Sequence, residues 1–126
     1  MSNEEQILES VKQLLSIDTS YDYFDMDVTL HINSAFSELH QLGVGPAEGF
    51  RITGQTETWA DFLGNRNDLD MVKSYVYLFV RLLFDPPSNS FLVSAFESQL
   101  ERLTWRINMT YELDAPVVVV PIVAGL

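Results

Sequence analysis

The sequence predicts an all-α fold: a small helical bundle of three long helices, a short N-terminal helix and a mini-helix, followed by an extended apolar C-terminal arm. Three observations carry this prediction. Apolar residues recur at helical spacing through separate segments, and glycines and prolines fall between those segments rather than inside them. The last fourteen residues, LDAPVVVVPIVAGL, then break the pattern altogether. With 126 residues, 47% of them apolar, the chain is long enough for one core that folds without disulfide staples. The expected division is a helical domain over 1–112 and an arm over 113–126.

Ser2 and Glu5 form a capping-box pattern, and Ile7, Leu8, Val11, Leu14 and Leu15 follow at helical spacing, which predicts a short amphipathic helix from about Asn3 to Ser16. Asp18 to Asp27 alternates acids with Tyr21, Tyr23 and Phe24 and reads as a linker. A second helix begins near Asp25 to Asp27, whose carboxylates suit the positive end of a helix dipole. It carries Val28, Ile32, Ala35, Phe36 and Leu39 on one face. Gly43 supplies its C-terminal cap and Pro46 prevents resumption. Residues 44–58 are irregular, with a strand-like FRIT at Phe50 to Thr53.

Thr58 and Asp61 bracket the mini-helix of Trp59, Phe62 and Leu63, which Gly64 stops. Asn67 caps a long helix with Asp68 and Asp70 in its first turn. Val72, Tyr75, Val76, Phe79, Val80, Leu82 and Leu83 crowd nearly every side of it, so it is expected at the centre, Leu83 included. Arg81 among them reads as a long side chain reaching out of the core. Pro86 and Pro87 end this helix. Ser88 or Ser90 restarts the last one, with Leu92, Phe96, Leu100, Leu103 and Ile107 as its stripe and Glu97, Glu101, Arg102 and Arg106 outside. Trp105 falls off that stripe, which favours an interface role.

The arm's four consecutive valines look strand-like, yet Pro116 and Pro121 lack backbone N–H donors, which confines the segment to a sheet edge, an extended arm or a terminus. Val117, Val118, Val119, Val120, Ile122 and Val123 form an uncharged β-branched window that needs a cover, from a neighbour or from its own domain. Folding back as an edge strand on its own chain is the alternative.

Net charge is −11, and the imbalance is local: residues 1–70 hold 13 acids against 3 bases, residues 71–126 hold 5 against 4. Phosphate-backbone binding through Lys and Arg is disfavoured for the front half. Such a surface either never meets nucleic acid or borders a passage through which it slides without sticking. The absence of cysteine removes disulfide and thiolate chemistry and suits a reducing compartment. MSNEEQ is acidic, so no signal peptide is expected, and the longest apolar stretch, Tyr75 to Phe84, is too short to span a bilayer. A soluble protein without membrane contact is expected.

No catalytic constellation stands out. Asp18, Ser20 and Asp22 imitate the start of a calcium loop, but Tyr23 occupies the sixth position where Gly is needed and Thr29 the twelfth where Glu belongs. His31 and His40 are nine apart and do not share a helical face as metal ligands would. Asp25/Asp27 and Asp68/Asp70 lie at helix starts, where capping explains them. No phosphate-cradling glycine loop, nucleophile elbow or Cys/His pair is present. No enzyme, cofactor or metal is expected.

INSAFSELHQLGVGP (Ile32 to Pro46), TWADFLG (Thr58 to Gly64), VKSYVYLFVRLLFDPP (Val72 to Pro87) and LERLTWRIN (Leu100 to Asn108) together resemble the head–tail connector, or adaptor, proteins of long-tailed double-stranded DNA bacteriophages, over about Glu5 to Met109. The resemblance implies a structural protein of the virion neck, assembled in the host cytoplasm as a ring, commonly twelve-fold, beneath the portal. Its partners would be its own copies, the portal, a tail-side stopper or tail-completion protein, and duplex DNA that passes without tight binding. In that setting Trp105, Val117, Val118, Val119, Val120, Ile122 and Val123 are the candidate assembly interface, and Asp18, Asp22, Asp25 and Asp27 are the candidate channel-facing acids. The valine-rich terminus lies outside the matching segments. An acidic mimic of DNA that occupies a basic groove on a host protein is the alternative reading.

Overall fold

Among the described residues, apolar spacing and chain breakers give five helices: α1 (Ile7–Leu14), α2 (Asp25–Gln41), α3 (Trp59–Leu63), α4 (Leu69–Phe84) and α5 (Ser90–Asp114). The computed structural model describes residues 5–64, 66 and 69–114, and the side chains of all of these except 112–114. Among the described residues there is no strand, and the expected all-α bundle of three long helices, a short first helix and a mini-helix is what forms. No helix there is long and apolar enough to cross a membrane.

α4 is the shared neighbour. It packs against α2 and α5, while α1 lies across α2 and α4. Leu69, Val72, Tyr75, Val76, Leu78 and Val80 of α4 are all buried, because three elements must be satisfied from one helix. Leu83 departs from the expectation: it shares the face of Val76 and Val80 but sits at the helix end and is 54% exposed. Arg81 finishes the helix: its Nε donates to the carbonyl of Asp85, and its Nη1 to the Tyr77 hydroxyl at 3.2 Å. Its guanidinium also lies 5.8 Å from the centre of the Phe96 ring on α5.

α1 begins later than its sequence pattern suggested. Within the described residues the helix starts at Ile7, because Glu5 and Gln6 are extended and pair with the chain ahead of α3. The Ile7 N–H donates to the Glu57 carbonyl at 3.0 Å, and the Trp59 N–H to the Glu5 carbonyl at 3.1 Å. Ser2 lies outside the described residues, as do Asn67 and Asp68 ahead of α4.

α2 ends where Gly43 was expected to end it. The Val44 N–H returns to the Leu39 carbonyl and the Gly43 N–H to the His40 carbonyl, each at 3.0 Å, with Gly43 at φ +88°, so the last carbonyls are satisfied by a left-handed cap. The FRIT segment is not a strand. The Asn33 carboxamide treats it as one instead, accepting from the Ile52 N–H at 2.7 Å and donating to the Ile52 carbonyl at 2.9 Å. Ile52 is thereby held in the core without a sheet. Beside it, Phe36, Phe50, Trp59 and Phe62 form one aromatic cluster, with Phe36 and Phe62 ring centres 4.4 Å apart. A Cβ at Gly45 would lie 2.5 Å from the Phe62 ring, so this turn admits only glycine.

The α3 capping box forms as expected: the Asp61 N–H donates to Thr58 Oγ1 and the Thr58 N–H to Asp61 Oδ2. At the start of α5 the cap is Asn89, rather than Ser88 or Ser90. Its Oδ1 accepts from the N–H groups of Phe91 at 2.7 Å and Leu92 at 3.4 Å. Leu83→Asp, at a half-exposed position in the last turn of α4, is expected to cost about 1 kcal/mol and leave the cooperative transition in place, whereas Ile107→Asp, which buries an unpaired charge, should cost about 4 kcal/mol and abolish it. Urea denaturation followed by circular dichroism checks both.

Candidate assembly surface

α5 leans on α4 along one row only. Phe96, Leu100, Leu103, Ile107 and Tyr111, spaced by three and four residues, form that row, the last three of them buried. Leu92, expected in this stripe, is half-exposed instead, because it lies in the first turn of α5, ahead of the part of the helix that packs on α4. On the opposite side Phe91, Ala95, Ser98, Arg102, Trp105 and Met109 recur at intervals of four, three, four, three and four. That spacing keeps six side chains on one line along the helix. Every one of them is exposed, with Phe91 at 85% and Trp105 at 64%.

Scattered exposed apolar residues are ordinary, but a single outward row with an aromatic in its first turn and Trp105 and Met109 near its far end is a patterned surface. Arg102 and Arg106 flank Trp105, and neither is engaged in an ion pair among the described residues. Glu101 lies one turn before Trp105, so both signs of charge border the indole. This row contains Trp105, which the sequence singled out; it also contains Phe91 and Met109, which the sequence reading missed. The spacing of all six residues was present in the sequence to find them. Val117, Val118, Val119, Val120, Ile122 and Val123 lie outside the described residues.

The four acids before and at the start of α2 have different surroundings. Asp18 is exposed and accepts from both the Ser20 hydroxyl (2.7 Å) and the Ser20 N–H (2.8 Å), which hold its carboxyl below the usual carboxylate range. Asp22 and Asp27 are exposed. Asp25 turns inward to Lys12, with Nζ 2.7 Å from Oδ1. Lys12 is fully buried, and its ammonium also donates to the carbonyls of Tyr21 (2.8 Å) and Thr19 (3.2 Å). One cation thus closes the segment between α1 and α2 and compensates one of the four acids. The sequence reading gave Lys12 no role, because a lysine among α1's polar residues looks like any solvated one.

Two further groups have shifted equilibria. Burial pushes the Glu57 carboxyl up, but the hydroxyl and N–H of Thr53, at 2.8 and 2.9 Å, outweigh it and the carboxyl lies below its ordinary value. Burial raises the Tyr75 hydroxyl, aided by the charge of Glu38. Neither is set beside a nucleophile. His31 packs near Phe84 and His40 is exposed, and among the described residues no three of His, Asp and Glu converge as metal ligands would.

Between α2 and residues 48–51 runs an open groove of about 620 Å³. Leu30, Ser34, Ser37, His40, Phe36 and Phe50 contribute to its lining. It is apolar at the two phenylalanines and offers hydroxyl and imidazole groups elsewhere, a shape suited to a side chain rather than to chemistry.

A protein-family model described as phage connector protein matches residues 7–114, and the chain belongs to that family. The match spans nearly all of the region that resembled head–tail connectors in the sequence. No curated protein and no solved structure matches the chain. The family is one of phage structural proteins.

Replacing Lys12 by Ala leaves Asp25 Oδ1 without its cation, with only Gln55 Nε2 still donating to Oδ2, and removes the Lys12 donor from two carbonyls. It should destabilise the fold by about 3 kcal/mol, read as a shift in the urea midpoint.

Proposed function

We propose that this phage connector protein assembles as a ring beneath the portal, joins capsid to tail, and forms part of the conduit through which the genome leaves. The observation that carries the reading is the outward row of α5, a surface bearing Phe91, Trp105 and Met109 on a helix whose other face already completes the core. A ring needs heterologous contacts between identical copies, and a bundle with one such unpartnered helix face has the first of the two surfaces required. Trp105 is the anchor of that contact, and Val117 to Val120, Ile122 and Val123 add an apolar arm to it. The portal above and a tail-side stopper or tail-completion protein below are the remaining neighbours, and the virion neck is its place.

Asp18, Asp22 and Asp27 face the duplex in this arrangement. Their exposure and the surplus of acids over bases in residues 1–70 repel phosphate, so DNA passes without being held. Asp25 contributes less, since Lys12 compensates it. Membership of the connector family favours this reading over an acidic mimic of DNA, and nothing in the arrangement calls for catalysis or a cofactor.

Electron microscopy of the protein mixed with its portal is expected to show a ring below the portal. Trp105→Ala should weaken that assembly by about 2 kcal/mol with an unchanged melting temperature, and deletion of Pro116 to Leu126 should impair it while leaving the domain folded. A solitary protein beside its portal refutes the reading. In a filter-binding or anisotropy assay at moderate salt the free protein should show no micromolar affinity for duplex DNA; such affinity would contradict the conduit role.

A further inference from the structure

We propose that the outward row of α5 is the seat of residues 117–123 of a second copy, so that the arm of each molecule lies along the helix of the next. This rests on the reading that the protein self-assembles. It names the arm as the second of the two surfaces that a head-to-tail contact requires, with the row as the first.

Length, charge and shape select this occupant. Residues 117–123, extended at about 3.3 Å each, span about 23 Å. The row from Ala95 to Met109 is about 21 Å long at the rise of an α-helix. Both signs of charge border Trp105, which favours neither an acidic nor a basic partner, and residues 115–126 carry no charged side chain at all. Small Ala95 and Ser98 sit between the larger Phe91 and Trp105, all four exposed, which makes a shallow saddle with an aromatic at each side. An extended chain alternates its side chains, so Val118, Val120 and Ile122 share one side and enter that saddle together. The backbone of the arm finds no sheet edge on this protein, since there is no strand among the described residues. Pro116 and Pro121 already remove two of its N–H donors, and Ser98 and Gln99 offer side-chain partners of the kind that Asn33 gives Ile52.

The seat belongs to the next molecule rather than to the arm's own. α5 runs to Asp114, past the far end of the row, so a return over the same helix requires a reversal of the chain directly afterwards. Ala115 to Val123 contains no Gly or Asn to make one. Pro116 biases Ala115 towards extended backbone, and the β-branched valines that follow favour it too.

The natural chain has no cysteine, so a pair of introduced thiols reports this contact alone. Ser98→Cys and Val120→Cys copies, mixed with the portal and treated with a short flexible bismaleimide, are expected to give a covalent dimer that neither gives alone. One chain carrying both substitutions should give a ladder of covalent oligomers on a denaturing gel. Trp105→Ala in the Ser98→Cys copy should cut the dimer yield at least about tenfold with an unchanged melting curve. Rings on the portal with no crosslink overturn the seat while leaving the ring reading in place. Rings in which the doubly substituted chain links only within itself do the same, and return the arm to its own helix. Failure of the unmodified protein to assemble on the portal removes the ring reading and this inference with it.

Discussion

A helix that rests on a single neighbour can bury only one of its faces, and α5 rests essentially on α4 alone. The row from Phe96 to Tyr111 completes the core, leaving the row from Phe91 to Met109 in water. Both rows repeat at three and four residues, so neither follows from helix propensity; the bundle's size decides which is covered. The remaining arrangement follows from this. α4 is apolar on nearly every side because α1, α2 and α5 all converge on it, and no further element lies outside α5 among the described residues.

Much of the architecture was legible in the sequence because local rules and tertiary packing agree there. Thr58 with Asp61, Gly43 after α2, and the Pro86–Pro87 break all act through the backbone of a few adjacent residues. Misreadings arose where a distant partner intervened. FRIT has strand composition, but the partner that satisfies Ile52 is a side chain nineteen residues earlier, Asn33, and no periodicity announces it. Glu5 and Gln6 leave α1 because residues 57–59 pair with them. Leu83 lies on the right face at the wrong end, a matter of how far its neighbours extend.

The candidate surfaces were legible in part. Trp105 stood out because it fell off an otherwise regular stripe, yet the second row to which it belongs overlaps that stripe in sequence and separates from it only once one face is known to be filled. The four acids around α2 looked equivalent, and only burial of Lys12 distinguishes Asp25 from the others. The groove beside α2 is made by residues from two segments and by the absence of a side chain at turns such as Gly49, which sequence order alone does not bring together.

The knot around Lys12 has a bearing on where the protein keeps its slack. An eight-residue helix and a long helix are tied through one ammonium that grips Thr19, Tyr21 and Asp25 together. Tyr21, Tyr23 and Phe24 pack on one another just beyond it, both tyrosines edge to face with Phe24. A connector between helices is ordinarily where a small protein keeps its slack. Here the ordering entropy of that connector is spent during folding, so the aromatic shoulder is already set in shape.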